Sequence, residues 1–522
     1  KRAERDVQNA HRYALERFAA ELISVRDTLE LAVASAAGAD ARTLADWGLE
    51  DGYIASREDA ETFYAEMAFL LANQYGAFNS PVWFNLGLYH VGGLGGSAGG
   101  YRYEPESRRL LRVDKGYEFP QCSACFIQSV EDNMEDIMRL ATAEAMLFKY
   151  GSGTGTDLST IRSAKEKLSG GGTPSGPLSF MRVYDQVAAV VKSGGKTRRA
   201  AKMQSLKVSH PDIVEFINCK ADHADHWTTN ISVEVDEAFF EALDNSDSHA
   251  LEVFNKVTEA MLANGEPGLY NSFKASEGER GGDVRATNPC GEIALFAEKA
   301  AGESCNLGHV NLSAYGTDHS GALEAFSLMA RVLVRATFAY IEDEEQREIE
   351  ARNRRIGVGF FGFQEWLGEL GVPYSKASRE PMVADLLKGF KEQVIESSDN
   401  YAIELGIPKP IKHTTVAPTG TIAKLPGTTE GAHPVYSRYY ERRVRYAASD
   451  PKLAELAKDH EIEDCIYSAD TKVVVFHTKD TILNKVDPDL IEQSDEIDIS
   501  DMLATQALIQ EHYADNAVSF TA

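Results

Sequence analysis

A chain of 522 residues, 43% hydrophobic and 25% charged, can bury a large core and is too long for one ordinary domain, although a large α/β barrel reaches this size with insertions. Its formal charge of −27 excludes non-specific binding along a nucleic-acid backbone, which needs a cationic surface, so no nucleic-acid partner is expected. No run of about 18 apolar residues predicts a transmembrane helix, Lys1-Arg2-Ala3-Glu4 does not open a secretory signal, and six cysteines do not make a disulfide scaffold.

In chain order, residues 1–33 read as an amphipathic helix and Arg57 to Gln74 as a second. Residues 1–75 are therefore expected to form a helical N-terminal region and 76–522 a larger second domain. From Gly76 onward helical patterns alternate with short apolar runs, the pattern of a parallel α/β fold. Asp132-Asn133-Met134-Glu135 reads as a capping box with Asp132 as N-cap. Met134, Ile137, Met138, Ala141, Ala145 and Phe148 follow at helical spacing, and Gly151 ends the helix. Glycines cluster after it, at Gly151-Ser152-Gly153-Thr154-Gly155, at 170–172 and at 194–195.

The run Asn288-Pro289-Cys290-Gly291-Glu292 carries an amide, a thiol and a carboxylate at alternate positions. In an extended or turning segment these share one face. The carboxylate suits a general base, the amide a hydroxyl-orienting group, and the thiol a nucleophile or hydrogen-atom abstractor. The same run also fits a plain turn with a buried cysteine. Cys122-Ser123-Ala124-Cys125 is a C-x-x-C, which reads as a redox dithiol or as half a zinc knuckle. Cys290 and Cys305 lie fifteen positions apart and supply no second knuckle, so no metal-ligand set is assigned. Several thiols are left without a structural purpose.

The motifs Cys122-Ser123-Ala124-Cys125-Phe126-Ile127, Asn288-Pro289-Cys290-Gly291-Glu292-Ile293, Ser304-Cys305-Asn306-Leu307, Arg355-Ile356-Gly357-Val358-Gly359-Phe360, Ala417-Pro418-Thr419-Gly420-Thr421-Ile422 and Thr429-Glu430-Gly431-Ala432-His433-Pro434 occur in that order. Together they resemble the large catalytic subunit of the ribonucleotide reductases over most of residues 76–445. The resemblance implies a ten-stranded α/β barrel of the ribonucleotide reductase and glycyl-radical type, with the helical region before it and the last part of the barrel missing. It implies that Cys290 forms a thiyl radical deep inside the closed barrel and abstracts the ribose 3′ hydrogen. Glu292 takes the 3′-hydroxyl proton, Asn288 binds substrate hydroxyls, and Cys125 with Cys305 is oxidised to a disulfide; Cys122 is left out of that pair. Substrate contacts are carried over to Ser80, Ser123, Ala124, Gly153, Pro418, Thr419, Gly420, Thr421 and Ile422.

The family also responds to bound effector nucleotides, dNTPs or ATP. The match places those contacts at Asp132, Asn133, Met134 and Arg162, with loop 193–199 running between effector and substrate sites. A homodimer, a ribonucleoside di- or triphosphate substrate, a thioredoxin-like reductant and a cytoplasmic setting are what the resemblance implies. The wording around Cys290 and Thr419 resembles class II, whose radical comes from adenosylcobalamin, more closely than class I, which uses a separate metallo-radical subunit. No Asp-x-His-x-x-Gly cobalamin motif occurs, and the cofactor's contacts are not named by the sequence. Redox cysteines of the family's tail are expected on a missing C-terminal segment or a second polypeptide. Two alternatives stand beside class II besides class I: a glycyl-radical enzyme, for which no glycyl motif is found before Ala522, and an inactive nucleotide-binding relative, against which the retained Asn288, Cys290, Glu292, Cys125 and Cys305 argue.

Overall fold

Short apolar runs separated by helical stretches leave room for the crossovers that parallel pairing needs, with the helices covering a face of the sheet. The computed structural model realises this over its described residues: 45, 49, 54–79, 89, 93–96, 100–104, 109–118, 123–149, 151–191, 200–221, 228–280, 284–298, 301–338, 344–465 and 471–521. The predicted helix at 1–33, Ser80, Cys122 and the loop 193–199 lie outside them.

Helix α1 (Arg57–Ala72) is capped by Ser56, whose side chain accepts from the Asp59 N–H. Strand β1 (Gly76–Phe78) follows, and then the first parallel sheet. That sheet has five strands: β2 (Cys125–Gln128), β3 (Gly153–Asp157), β4 (Lys202–Lys207), β5 (Asn230–Val235) and β6 (Gly268–Asn271), in sequence order and all parallel. Helices α2 (Met134–Lys149), α3 (Gly176–Val190) and α4 (Ser248–Asn264) pack on one face. Ile137, Leu140, Met181, Tyr184, Leu206, Ile231, Val233, Val253 and Val257 form the core between them.

The cap of α2 falls one residue later than the sequence suggests. Asn133 Oδ1 takes the Asp136 N–H at 2.9 Å, and Asp136 Oδ2 reaches back to the Glu131 N–H at 2.7 Å. Asp132 is not the N-cap, because its carboxylate is engaged by Arg162 instead. The buried face of α2 carries Ile137, Leu140, Ala141, Glu144 and Phe148, while Met134 and Met138 are exposed.

A second set of strands follows a hairpin. β7 (Val284–Thr287) and β8 (Ala294–Glu298) pair antiparallel around the turn 288–293. β9 (Leu307–Asn311) then lies between β1, antiparallel, and β10 (Gly357–Phe361), parallel. Parallel bridges continue this sheet from Val358 to Thr414 and from Val416 to Val518. Helices α5 (His319–Ala336) and α6 (Pro381–Glu404) cover it, and Phe63, Met67, Leu70 and Leu71 of α1 share their core with Phe326, Met329, Leu333 and Phe390. The two halves meet edge to edge at the predicted thiol pair: Cys305 N donates to Cys125 O at 2.9 Å, Ala124 N to Cys305 O at 3.1 Å and Ile127 N to Glu303 O at 3.0 Å. An α/β fold with a parallel sheet is therefore present, but no sheet closes on itself among the described residues. A three-stranded antiparallel sheet of Tyr439–Ala447, Thr471–Lys479 and Glu461–Asp464 was not foreseen.

The hairpin crosses the first sheet where β3 reads Gly-Thr-Gly-Thr. A Cβ on Gly155 would sit 2.0 Å from Thr287 O, and one on Gly153 2.8 Å from Pro289 Cγ. Alternation puts both glycines on one face, so the hairpin backbone rests where side chains are absent. Gly155→Ala is expected to displace the hairpin and to destabilise the protein by about 2 kcal/mol. Gly389→Ala, in α6 with nothing within 4 Å of its added Cβ, should instead gain about 0.5–1 kcal/mol, both read by urea unfolding.

Candidate active site

The turn 288–293 is closed by its own polar groups. Gly291 N donates to Asn288 O at 3.0 Å, Asn288 N to Ile293 O at 3.2 Å, and Ile293 N to Asn288 Oδ1 at 3.3 Å. Gly291 takes φ +78°, a left-handed conformation that favours glycine. The turn is then anchored from both halves of the fold. Asn230 Nδ2 of β5 donates to Pro289 O at 2.8 Å, while Thr415 Oγ1 at 2.6 Å and Ala517 N at 2.8 Å both donate to Glu292 O.

This anchoring buries two of the three predicted side chains and leaves the third outside. Asn288 is 1% and Glu292 2% exposed, whereas Cys290 at the tip is exposed. The expectation of a thiol held deep in a closed barrel is thus not met: the turn points its tip into open space, and no closed sheet surrounds it. The buried pair is unsaturated. Asn288 Nδ2 and Glu292 Oε2 have no hydrogen-bond partner among the described residues, a costly arrangement unless a ligand completes it. Burial pushes the Glu292 carboxyl up to about 7, against the opposing pull of its own backbone N–H and of Asn288 beside it.

Cys125 and Cys305 are reduced, buried and side by side. Burial first, then the neighbouring Cys125, pushes the Cys305 thiol well above its ordinary range; the Glu292 charge acts in the same direction. The Gly153 position joins this pair to the turn, since a Cβ there would lie 3.2 Å from Cys125 Sγ as well as against Pro289. Cys219 and Cys465 have no place in this cluster; burial pushes Cys219 up to about 12, which leaves it inert.

The Pro418–Ile422 run forms a tight turn into a short 3-10 helix, Ile422–Lys424. Thr419 is buried at φ +53°, its Oγ1 accepting from Gly431 N at 2.8 Å and its carbonyl from Ala423 N at 3.0 Å. Gly420 and Thr421 are exposed. Ile422 and Ala423 pack on Ala77 of β1 and Phe361 of β10, which fixes the turn to the second half. Lys424 pairs with Glu430 beside the turn, so a cation that the sequence reading did not use stands there, compensated by a carboxylate.

The family description "Ribonucleotide reductase, barrel domain" matches residues 123–251 and 244–412, and "Class II vitamin B12-dependent ribonucleotide reductase" matches 18–74. The chain belongs to the class II, vitamin B12-dependent ribonucleotide reductase family. It is 42% identical over 394 residues to the vitamin B12-dependent ribonucleotide reductase of Rhodopirellula baltica, covering 66% of this chain and 38% of that protein. It is 37% identical over 433 residues to an adenosylcobalamin-dependent ribonucleoside-triphosphate reductase assigned in Mycobacterium phage D29, covering 75% and 62%. The chain therefore spans less than two thirds of the length of these relatives. A crystal structure of a B12-dependent class II ribonucleotide reductase superposes with TM-score 0.52 at 27% identity, over 77% of this chain and 61% of that one. The Actinobacillus ureae class Id alpha subunit superposes with TM-score 0.65 over 91% and 85%, at 18% identity, which speaks for the fold alone.

The predicted site residues fall into two groups. Asp132, Asn133, Met134 and Arg162 gather at the start of α2, where Arg162 Nε pairs with Asp132. Gly153 follows the other end of that 16-residue helix, about 24 Å away at 1.5 Å per residue. A cleft of about 360 Å³ beside Arg162 is lined by Ser159, Thr160, Glu166, Lys207 and His210. Between the two groups Lys202 Nζ meets Glu144 Oε2 at 2.5 Å, both wholly buried, tying α2 to the strand that follows loop 193–199. Among the described residues no helix is long and apolar enough to cross a membrane, and no three His, Cys, Asp or Glu are grouped to hold a metal.

Sequence reasoning missed Asn230, Thr415 and Ala517, the anchors of the turn, because each acts from a distant segment and belongs to no local motif. The raised Glu292 carboxyl has a thermodynamic consequence. Its folded state binds the proton between the ordinary value of 4.5 and about 7, so this group's contribution to stability is full below 4.5 and is lost as pH rises through 7. Glu292→Gln removes that loss: relative to the parent chain it should gain up to about 3 kcal/mol between pH 4 and pH 8 in urea unfolding. A pH-independent difference would show that the carboxyl titrates normally.

Proposed function

We propose that this chain reduces ribonucleotides to 2′-deoxyribonucleotides by cysteine-radical chemistry. The observation that carries the reading is the convergence on one turn of an accessible thiol, a buried amide and acid with unpartnered atoms, and an adjacent thiol pair. Adenosylcobalamin supplies, when bound, an organic radical from its carbon–cobalt bond. The site suits such a group in one respect: Cys290 is exposed at the tip of the turn, where a large cofactor can reach its sulfur, while Asn288 and Glu292 stay covered.

Cys290, as a thiyl, takes the hydrogen from ribose C3′. Glu292 Oε2 receives the 3′-hydroxyl proton, and Asn288 Nδ2 donates to a ribose hydroxyl, which saturates both orphaned atoms. The 2′-hydroxyl leaves as water with a proton from the Cys125/Cys305 pair. The two thiols become a disulfide, supplying two electrons and two protons in all, and Cys290 returns its hydrogen to C3′. A nucleoside di- or triphosphate lies along the Pro418–Ile422 turn, with Ser80, Ser123, Ala124 and Gly153 on its other side.

A closed ten-stranded barrel is the proposed completion of the fold: the five-stranded parallel sheet meets, at Cys125 and Cys305, a three-stranded sheet that isolated bridges extend to Thr414, Val416 and Val518. In that reading residues 1–75 are a helical region and 76–522 the catalytic domain. Asp132, Asn133, Met134 and Arg162 bind a dNTP or ATP effector, and loop 193–199 carries the signal. Exposed Met134, Met138 and Val190 on α2 and α3 support a homodimer across these helices. A thioredoxin-like protein, with cysteines of a further segment or second polypeptide, re-reduces the disulfide in the cytoplasm.

The test is reduction of a ribonucleoside di- or triphosphate with dithiothreitol, with and without adenosylcobalamin. Turnover that requires the cofactor and falls by at least a thousandfold in Cys290→Ser is the expected result. Activity restored only by a metallo-radical subunit, or retained without Cys290, sinks the proposal. With Arg162→Ala, dATP or dGTP should bind at least tenfold more weakly by equilibrium dialysis, since a charged phosphate contact is worth about 1.5–3 kcal/mol; unchanged binding removes Arg162 from the effector site.

A further inference from the structure

Glu350 lies outside every motif of the sequence, yet it is buried against the segment that carries Cys305. It is 4% exposed on the helix Glu344–Asn353, and its Oε1 accepts from both donors of Ser304: the backbone N–H, and the hydroxyl at 2.6 Å. On the other side of Ser304, Ser123 Oγ donates within 3.2 Å of Ser304 Oγ and of Asn306 Oδ1. The two neighbours of Cys305 are thus each gripped, one by Glu350 and Ser123 and the other by Ser123. The same helix end holds Glu303, through Asn353 Nδ2 at 2.8 Å and Arg355 Nε at 3.1 Å.

We propose that Glu350 is a positioning residue for the reducing thiol pair: by taking both hydrogen bonds that Ser304 can give, it fixes segment 303–306 in the register that sets Cys305 against Cys125. The inference deepens the reading of these two cysteines as the reducing pair and rests on it. A disulfide tolerates only a narrow range of Cβ separations, and a one-residue slip in a strand turns every side chain to the other face. Three backbone hydrogen bonds join 124–127 to 303–305 around the Phe126–Ser304 bridge, and the grip on Ser304 adds a side-chain hold to that short ladder. A buried carboxyl that accepts from both the adjacent hydroxyl and the N–H adds a further constraint on that register, through acceptor oxygens rather than through its charge. Burial and then Glu303 push the Glu350 carboxyl up to about 7, the Ser304 bonds opposing that rise.

The test reads the thiol–disulfide equilibrium of Cys125 and Cys305 in the full chain, without nucleotide or cobalamin. Protein is equilibrated in reduced and oxidised dithiothreitol and acid-quenched, and the Cys125–Cys305 peptide is quantified by mass spectrometry. Each disulfide formed takes two electrons and two protons from the thiols and reduces one oxidised dithiothreitol. Glu350→Ala is expected to shift the equilibrium about tenfold toward the thiols and Ser304→Ala about threefold, with the double variant no worse than Glu350→Ala. Glu350→Gln, whose amide oxygen can still accept both bonds, should stay within about twofold of the parent. A folded Glu350→Ala with the parent's equilibrium constant overturns the proposal; if that variant does not fold, an unchanged constant in Ser304→Ala does. Absence of nucleotide reduction in the parent chain would sink the functional reading while leaving these constants measurable, so the two failures are distinct.

Discussion

The arrangement depends on one backbone contact, the seating of the 284–298 hairpin on two glycines of β3. Because Gly153 and Gly155 carry no side chain, Thr287 and Pro289 approach a strand that would otherwise hold them several ångströms away. That approach brings the turn beside Cys125 Sγ and close enough for Glu292 to act on Cys305. Hydrogen bonds from Asn230 in the first half and from Thr415 and Ala517 in the second then fix the turn's carbonyls. The site is therefore held by the joint between the halves, and a disturbance of either half reaches the same few atoms. This is the economy of placing chemistry on a short turn supported by rigid elements.

Local sequence revealed what is local. Alternation of helical and apolar stretches pointed to the parallel sheet, and Cys125 lies beside Cys305; Asn288, Cys290 and Glu292 fall on one turn but not on one face, since the thiol is exposed and the other two are buried. Errors arose where a distant partner decides. Asp132 looks like an N-cap until Arg162, thirty positions away, claims its carboxylate and leaves Asn133 to cap the helix. Helical spacing joins Met134 and Met138 to Ile137, Ala141 and Phe148 in one stripe, but it does not say where the covered face ends, and both methionines lie outside it. The exposure of Cys290 was misjudged for the opposite reason, because a closed barrel was carried over whole instead of being derived from the residues.

The glycine pattern shows what a sequence can disclose when a physical demand is recognised. Gly-Thr-Gly-Thr in β3 looks like a loop motif by composition, and its proximity to the predicted turn is invisible in one dimension. Read as a strand, alternate glycines mark a face that another backbone must approach. Ser304 and Glu350 offered no comparable signal. Their relation spans forty-six positions and uses residue types found anywhere on a surface, so only the fold brings them together.

The three thiols of the site sit in opposite environments, and the difference matches two kinds of chemistry. Cys290 is exposed, as the proposed exchange of a hydrogen atom with two bulky bound molecules in turn requires. Cys125 and Cys305 are buried, and the low-dielectric surroundings that push Cys305 upward keep it a thiol rather than a thiolate. For a pair that must deliver protons as well as electrons to a leaving hydroxyl, the protonated form is the useful one, because a thiolate has electrons but no proton to give. The same burial would be a defect in a disulfide-exchange enzyme, where thiolate character sets the rate of attack. Re-reduction of the pair therefore requires a partner thiol that reaches into the site with its own nucleophilic sulfur. The buried acid bears on this arrangement: in the proposed reaction Glu292, while ionised, adds most to the repulsion that holds Cys305 protonated, and once neutralised by taking the 3′-hydroxyl proton it adds least. The proton taken at the 3′ position would thus loosen the proton destined for the 2′ position, a coupling that requires the acid and the thiol pair to share one buried space.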